Sequence, residues 1–140
     1  MLIVTCPVCG VTGEEADFHY GGQAHIRRPA SHDPEHITDA EQRDYLFARH
    51  NPKGIHFERW RCDRGCGKWF NAVRDTVSLD FKAYYPATAL PPLDWMKAAK
   101  GEWAAFFAPK IAALEAAAPG APAAEPAKKP ARTRKRTEDQ

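Results

Sequence analysis

Short apolar runs separated by polar turns dominate the first two thirds of the chain, and longer helical spacing replaces them near the end. Leu2-Ile3-Val4 reads as a short buried strand, and Asp17-Phe18-His19-Tyr20 as a second one, closed by the turn signal Gly21-Gly22. From Gln23 to Ile37 the chain is polar, rich in His, Arg and Pro, and without periodicity. A loop of that length in a small domain is functional or unfolded. Thr38-Asp39-Ala40-Glu41 has the capping-box form, so a helix is predicted from Asp39 to about Arg49, ended by the turn Asn51-Pro52-Lys53-Gly54. Its apolar payload, Tyr45, Leu46 and Phe47, either covers a sheet edge or meets a partner.

Ile55 to Arg61 and Lys68 to Val77 are rich in β-formers and read as the arms of a hairpin. A last strand is predicted from Leu79 to Tyr84. Pro91-Pro92 marks a boundary, after which Leu93 to Leu114 reads as an alanine-rich helical segment with Trp95, Ala99, Trp103 and Phe106 at helical spacing. Pro109 is expected to kink or restart it. That stripe is expected to dock on a partner or on its own domain. The pattern divides the chain into a small α+β domain over 1–86, a helical extension over 87–118 and a disordered Ala/Pro-rich basic tail over 119–140.

Charge sharpens this division. The formal net charge is +2, but residues 119–140 carry six Lys/Arg against three Asp/Glu, which leaves residues 1–118 at −1. The folded part is not a basic nucleic-acid-binding domain by charge. No apolar stretch approaches the ~18–20 residues that cross a bilayer, so a soluble, cytoplasmic protein is expected. Arg59, Arg61, Arg64, Lys68 and Arg74, interleaved with Trp60 and Trp69, read as an exposed sheet face ion-paired to Glu58, Asp63 and Asp75, or as a protein interface. Histidines gather between His19 and His36, and solvated loop positions or partner contacts account for them better than catalysis.

The chemistry lies in the four cysteines, which form two turns that both end in Cys-Gly: Cys6-Pro-Val-Cys9-Gly10 and Cys62-Asp-Arg-Gly-Cys66-Gly67. Two such turns, the second at the tip of the hairpin, make a closed site of four thiolates, the arrangement of structural zinc. Met1 to Thr5 has no basic region and too short an apolar run for a signal peptide, so a disulfide framework is not expected. A redox Cys-x-x-Cys site needs only one pair. Iron in an all-thiolate site remains a rival, although it favours two identical knuckles and the second here has an extra residue. A core of roughly 85 residues is near the limit where apolar burial suffices alone, and zinc adds on the order of 10 kcal/mol. The zinc-ribbon-like antiparallel sheet is therefore expected to be held by its metal.

Four segments together resemble the delta subunit family of heterotetrameric sarcosine oxidase. They are Cys6-Pro-Val-Cys-Gly10, then Tyr20-Gly-Gly-Gln-Ala-His-Ile-Arg-Arg-Pro29, Asp44-Tyr-Leu-Phe-Ala-Arg-His-Asn-Pro-Lys-Gly-Ile55, and Glu58 to Val77 with Arg59, Trp60, Arg61, Gly65, Cys66, Gly67, Trp69, Phe70 and Asn71. The resemblance spans about residues 1–86. It implies a small zinc-binding subunit that assembles with alpha, beta and gamma subunits. The complex demethylates sarcosine oxidatively to glycine, with oxygen as electron acceptor and tetrahydrofolate receiving the one-carbon unit. FAD, FMN, NAD and tetrahydrofolate are then expected on the partner subunits, and zinc on this chain. The family pattern ligates zinc by three cysteines and a histidine. Cys6, Cys9 and Cys66 match the cysteines, and Cys62 stands where the histidine usually is. That exchange makes the site one unit more negative, and the extension from about residue 87 departs from the family pattern.

An accessory, non-catalytic subunit agrees with the absence of a Gly-x-Gly-x-x-Gly fingerprint and of a recognisable Ser/His/Asp motif. Tyr20, Gly21, Gly22, His25, Arg28 and Pro29 are the expected contacts with the larger subunits. The alternatives are a zinc-ribbon module that binds nucleic acid or protein, and an iron electron carrier, which would be red.

Overall fold

The computed structural model describes residues 1–31 and 33–117. The element order is β1 (Ile3–Thr5), β2 (Thr12–Glu14), β3 (Phe18–Gln23), α1 (Asp39–Leu46), β4 (Ile55–Cys62), β5 (Trp69–Asp75), β6 (Phe81–Pro86), α2 (Leu93–Ala98) and α3 (Glu102–Ala117). β1 and β2 form a small antiparallel pair, and β3-β4-β5-β6 form an antiparallel sheet of four strands in that order. The class is α+β, as the pattern predicts.

Side chains alternate across each strand, so the sheet has two faces with different covers. Phe57 lies opposite Val73, and Val73 opposite Ala83. With Tyr85 and Ala24 they form a core closed by Met96 of α2, Ala99 just beyond it, and Trp103 and Phe107 of α3. On the other face Trp60, Phe70 and Ala72 pack with Phe18, Val4, Cys6 and Cys62 beneath the β1–β2 pair. The same face holds a buried ion pair. Glu58, fully buried, accepts from Arg74 Nε at 2.9 Å and from Trp60 Nε1 at 3.0 Å.

Three expectations need correction. Gly21-Gly22 does not end a strand, because β3 runs through it with a register shift between Tyr20 and Gln23. A Cβ on Gly21 would come within 2.5 Å of the Trp69 ring, so the missing side chain is a seat for an indole. Helix α1 has its capping box, with Thr38 Oγ1 accepting from Glu41 N at 3.2 Å, but it stops at Leu46, before Arg49. The Arg49 guanidinium instead folds back onto the carbonyls of Leu46 and Ala48, satisfying acceptors that the end of the helix leaves without an amide donor. No residue of α1 is buried, and Phe47 is 76% exposed, so the helix covers no sheet edge.

The third correction concerns the extension. It breaks at Gly101 (φ 59), and α3 continues through Pro109. Proline removes one amide donor, the one that would meet the Ala105 carbonyl. One residue on, the Lys110 ammonium folds back onto the Phe106 carbonyl at 3.0 Å while lying over the Phe106 ring. The break resets the helical phase, so Phe107 enters the core and Phe106 stays at its margin. The stripe docks on its own domain. The expectation of disorder over 119–140 falls outside the described residues.

Candidate metal centre

Two turns built by the same device carry the cysteines. In the first, Cys6 N–H donates to Val11 O at 2.8 Å and Gly10 N–H to Cys6 O at 2.9 Å. In the second, Cys62 N–H donates to Lys68 O at 3.0 Å and Gly67 N–H to Cys62 O at 2.9 Å. Gly10 and Gly67 both stand at positive φ, 78° and 67°, where a Cβ is disfavoured. The first turn leaves β1, and the second joins β4 to β5. Arg64 reaches across to Asp17 with an Nη1–Oδ1 distance of 2.6 Å, tying the hairpin tip to the turn before β3.

All four sulfurs lie within 4.8 Å of one another. Cys6 and Cys66 Sγ are 3.7 Å apart, and Cys9 and Cys62 Sγ are 3.8 Å apart. These are not disulfide distances, since an S–S bond is ~2.0 Å. They match a tetrahedron around zinc, whose ~2.3 Å Zn–S bonds put neighbouring sulfurs about 3.8 Å apart. The residues present therefore fit a tetrathiolate ion. The extra residue of the second turn fits because Gly65 lies against the site. A Cβ there would be 2.8 Å from Cys62 Sγ and 3.0 Å from Cys9 Sγ. Sequence spacing raised the longer turn as a question, and the glycine before Cys66 was the signal that answers it.

The thiols are electrostatically unequal. Burial pushes the Cys6 thiol up to about 12 and also raises Cys62, while the Val11 N–H holds Cys9 down to about 6. Cys6 and Cys62 are buried and Cys9 and Cys66 exposed, so one edge of the cage meets solvent. A divalent cation offsets the mutual repulsion of four thiolates, and ligation releases their protons. With four protein ligands no coordination position remains for a substrate.

The other predicted site residues lie apart from the cage. Tyr20 is half exposed and packs against Trp60, with ring centroids 5.0 Å apart. Gly22 (φ 84) lies within the irregular stretch of β3. Arg28 and Pro29 line a surface groove of about 570 Å³ with Tyr45 and Leu46. His25, by contrast, is engaged inside the chain. Its Nε2 lies 2.8 Å from Tyr85 Oη, and its ring stacks on Tyr85 against Phe107 of α3. His36 pairs with Asp33, and His56 accepts from Trp103 Nε1 at 3.2 Å. Of the cationic face, Arg74 pairs with Glu58 and Arg61 with Asp63, as the sequence reading has it, whereas Asp75 caps Val77 N–H.

The model of the sarcosine oxidase, delta subunit family matches residues 3–87. Over 95 residues the chain is 52% identical to the sarcosine oxidase subunit delta of Corynebacterium sp. (strain U-96), covering 67% of this chain and 93% of that one. It is 51% identical over 87 residues to the subunit delta of Arthrobacter sp, covering 62% and 86%. The subunit delta of Rhizobium meliloti (strain 1021) is 35% identical over 82 residues, covering 58% and 82%.

Proposed function

The chain belongs to the sarcosine oxidase, delta subunit family, and on that premise we propose that it is the zinc-holding, non-catalytic delta subunit of a heterotetrameric sarcosine oxidase. The observation that carries the metal part is the cluster of four sulfurs within 4.8 Å of one another, two pairs of them at tetrahedral spacing. Cys6, Cys9, Cys62 and Cys66 hold the zinc. Bound there, it supplies structural cross-linking between β1 and the β4–β5 hairpin. The chain's own residues then position surfaces for the alpha, beta and gamma subunits, with Tyr20, Gly21, Gly22, Arg28 and Pro29 among the contacts. Oxidative demethylation of sarcosine to glycine takes place on those partners, which carry FAD, FMN, NAD and tetrahydrofolate. The complex is cytoplasmic. Among the described residues no helix is long and apolar enough to cross a membrane, which agrees with that placement.

The test is recovery of a tagged chain from its native cell, with metal analysis of the eluate. Larger flavin-containing chains should co-elute with about one zinc per copy, as one closed site requires, and the eluate should turn over sarcosine. A lone chain, or a red eluate carrying iron, would overturn the proposal.

A further inference from the structure

The first face of the sheet is only half covered. At its far end Phe57 and Val73 lie under α3. Toward the cysteines the face continues with the cross-strand pairs Arg59–Asn71 and Arg61–Trp69, and nothing among the described residues covers the outer pair. Trp69 is 41% exposed. Its ring rests over Gly21, meets His19 edge-on at 5.9 Å and carries the Arg61 guanidinium at 5.5 Å. Such a plane of indole and guanidinium, held rigid from below, has the composition of an interface hot spot.

The charges beside it are uncompensated. Arg27, Arg59 and Lys110 come from the loop after β3, from β4 and from α3; each field is felt at the imidazole of His25, and Lys110 lies over the Phe106 ring, 6.0 Å from that imidazole between centroids. None of the three takes part in an ion pair among the described residues, whereas Arg61, Arg64 and Arg74 on the same sheet and its hairpin tip all do. Arg59 Nε is enclosed without an acceptor, and the fully buried Asn71 opposite it has Oδ1 enclosed without a donor. A half-buried guanidinium with an enclosed, unpartnered Nε and no counter-charge is costly, and a carboxylate arriving from outside lowers that cost. Burial, followed by the field of these three cations, holds His25 down to about 4, so the imidazole adds no fourth charge at neutral pH.

We infer that the open half of this sheet face, with Trp69 as its apolar anchor and Arg27, Arg59 and Lys110 as its cations, docks an acidic segment of a partner subunit. The inference rests on the subunit reading above and says which surface and which chemistry serve it. Charge complementarity selects the occupant: a carboxylate-bearing strand or loop fits three cations that have no carboxylate partner among the described residues, and an apolar helix does not.

The experiment uses the full metal-loaded chain and the remaining subunits of the complex, co-expressed without it, and measures their association at two salt concentrations. The wild type should bind, more weakly at the higher salt. R59Q should weaken binding at least tenfold, and R27Q/K110Q should weaken it similarly and flatten the salt dependence. W69A should also lose tenfold or more. Metal content and melting temperature report on folding. Should R59Q prove unstable, R27Q/K110Q and W69A, which alter exposed or half-exposed side chains, decide the matter. Wild-type chain that binds alongside variants within threefold of it overturns this docking surface and leaves the subunit reading standing. A wild type that does not bind overturns both. Retention of a single-stranded oligonucleotide in place of the subunits, lost in R59Q, overturns the acidic-protein assignment.

Discussion

The two cores of this molecule are closed by opposite means. The core under the β1–β2 pair lies wholly within the family-matched residues 3–87 and has two metal-site cysteines, Cys6 and Cys62, as members. The core on the other face draws Ala24, Phe57, Val73 and Tyr85 from the matched region, but Met96, Ala99, Trp103 and Phe107 from beyond it. One borders the cluster of four sulfurs that the proposed metal would cross-link, and the other is an aromatic pack in which Phe57, Trp103 and Phe107 meet at centroid distances of 4.8 to 5.6 Å. Ligand bonds can fix a small core that burial alone leaves marginal, whereas an added helix achieves closure by area. The two ends should therefore fail independently.

Metal removal is the largest perturbation available. Structural zinc contributes about 10–16 kcal/mol in small domains. Chelation, or Cys6→Ser, should collapse the melting temperature and strip hydrogen-exchange protection first from β1, β2 and the hairpin tip. Full release of metal with an unchanged melt would break the comparison, because the cysteine end would then stand on packing alone.

Trp103→Ala strikes the other end. Removing a fully buried tryptophan costs about 3–5 kcal/mol, and this one also donates to His56 Nδ1. Denaturant unfolding should show that loss with metal stoichiometry intact. If zinc leaves as well, the cores are coupled through the sheet. Glu58→Gln tests that connection, since Glu58 sits on the central strand β4 and neutralises Arg74. Leaving Arg74 without its carboxylate should cost about 3 kcal/mol, measured as a lower denaturation midpoint, and Arg74→Met in the same chain should recover part of it.

Legibility from sequence follows the same division. The convergence of four cysteines could be read because each turn announces itself locally, through spacing and a closing glycine. The hairpin, the capping box and the docking of the extension were likewise local or periodic signals. What failed depended on tertiary neighbours. Gly21 looked like a turn because its real partner, the Trp69 ring, comes from another strand. The restart expected at Pro109 falls instead at Gly101, where the positive φ of 59° ends the first helical piece, and α3 runs on through the proline. The engagement of His25 with Tyr85, Trp103 and Phe107 was not legible, because those rings lie far away in sequence. A pattern of one residue per position cannot say which side chain will fill the space beside it.

The smallest effect, and the one that most finely separates the two ends, is that of pH. His25 is held to about 4 against an ordinary value of 6.5, first by burial and then by Arg59, Lys110 and Arg27. His56, beneath Trp103, is also lowered, mainly by burial. Both groups are bases with depressed folded values, so the unfolded chain binds more protons once pH falls below about 6.5. The stability they permit is complete above that pH and declines as pH falls toward 4. Both histidines face the aromatic core, so the decline should appear there, as lost protection in α3 and exposure of Trp103, while the metal end holds its ligands at pH 5.5. His25→Gln keeps a polar partner for Tyr85 Oη but cannot titrate, and its denaturation midpoint should fall less between pH 7.5 and 5.5 than that of the wild type. Equal slopes in the two proteins would move the pH sensitivity away from His25, and with it the claim that acid opens the helical end before the cysteine end.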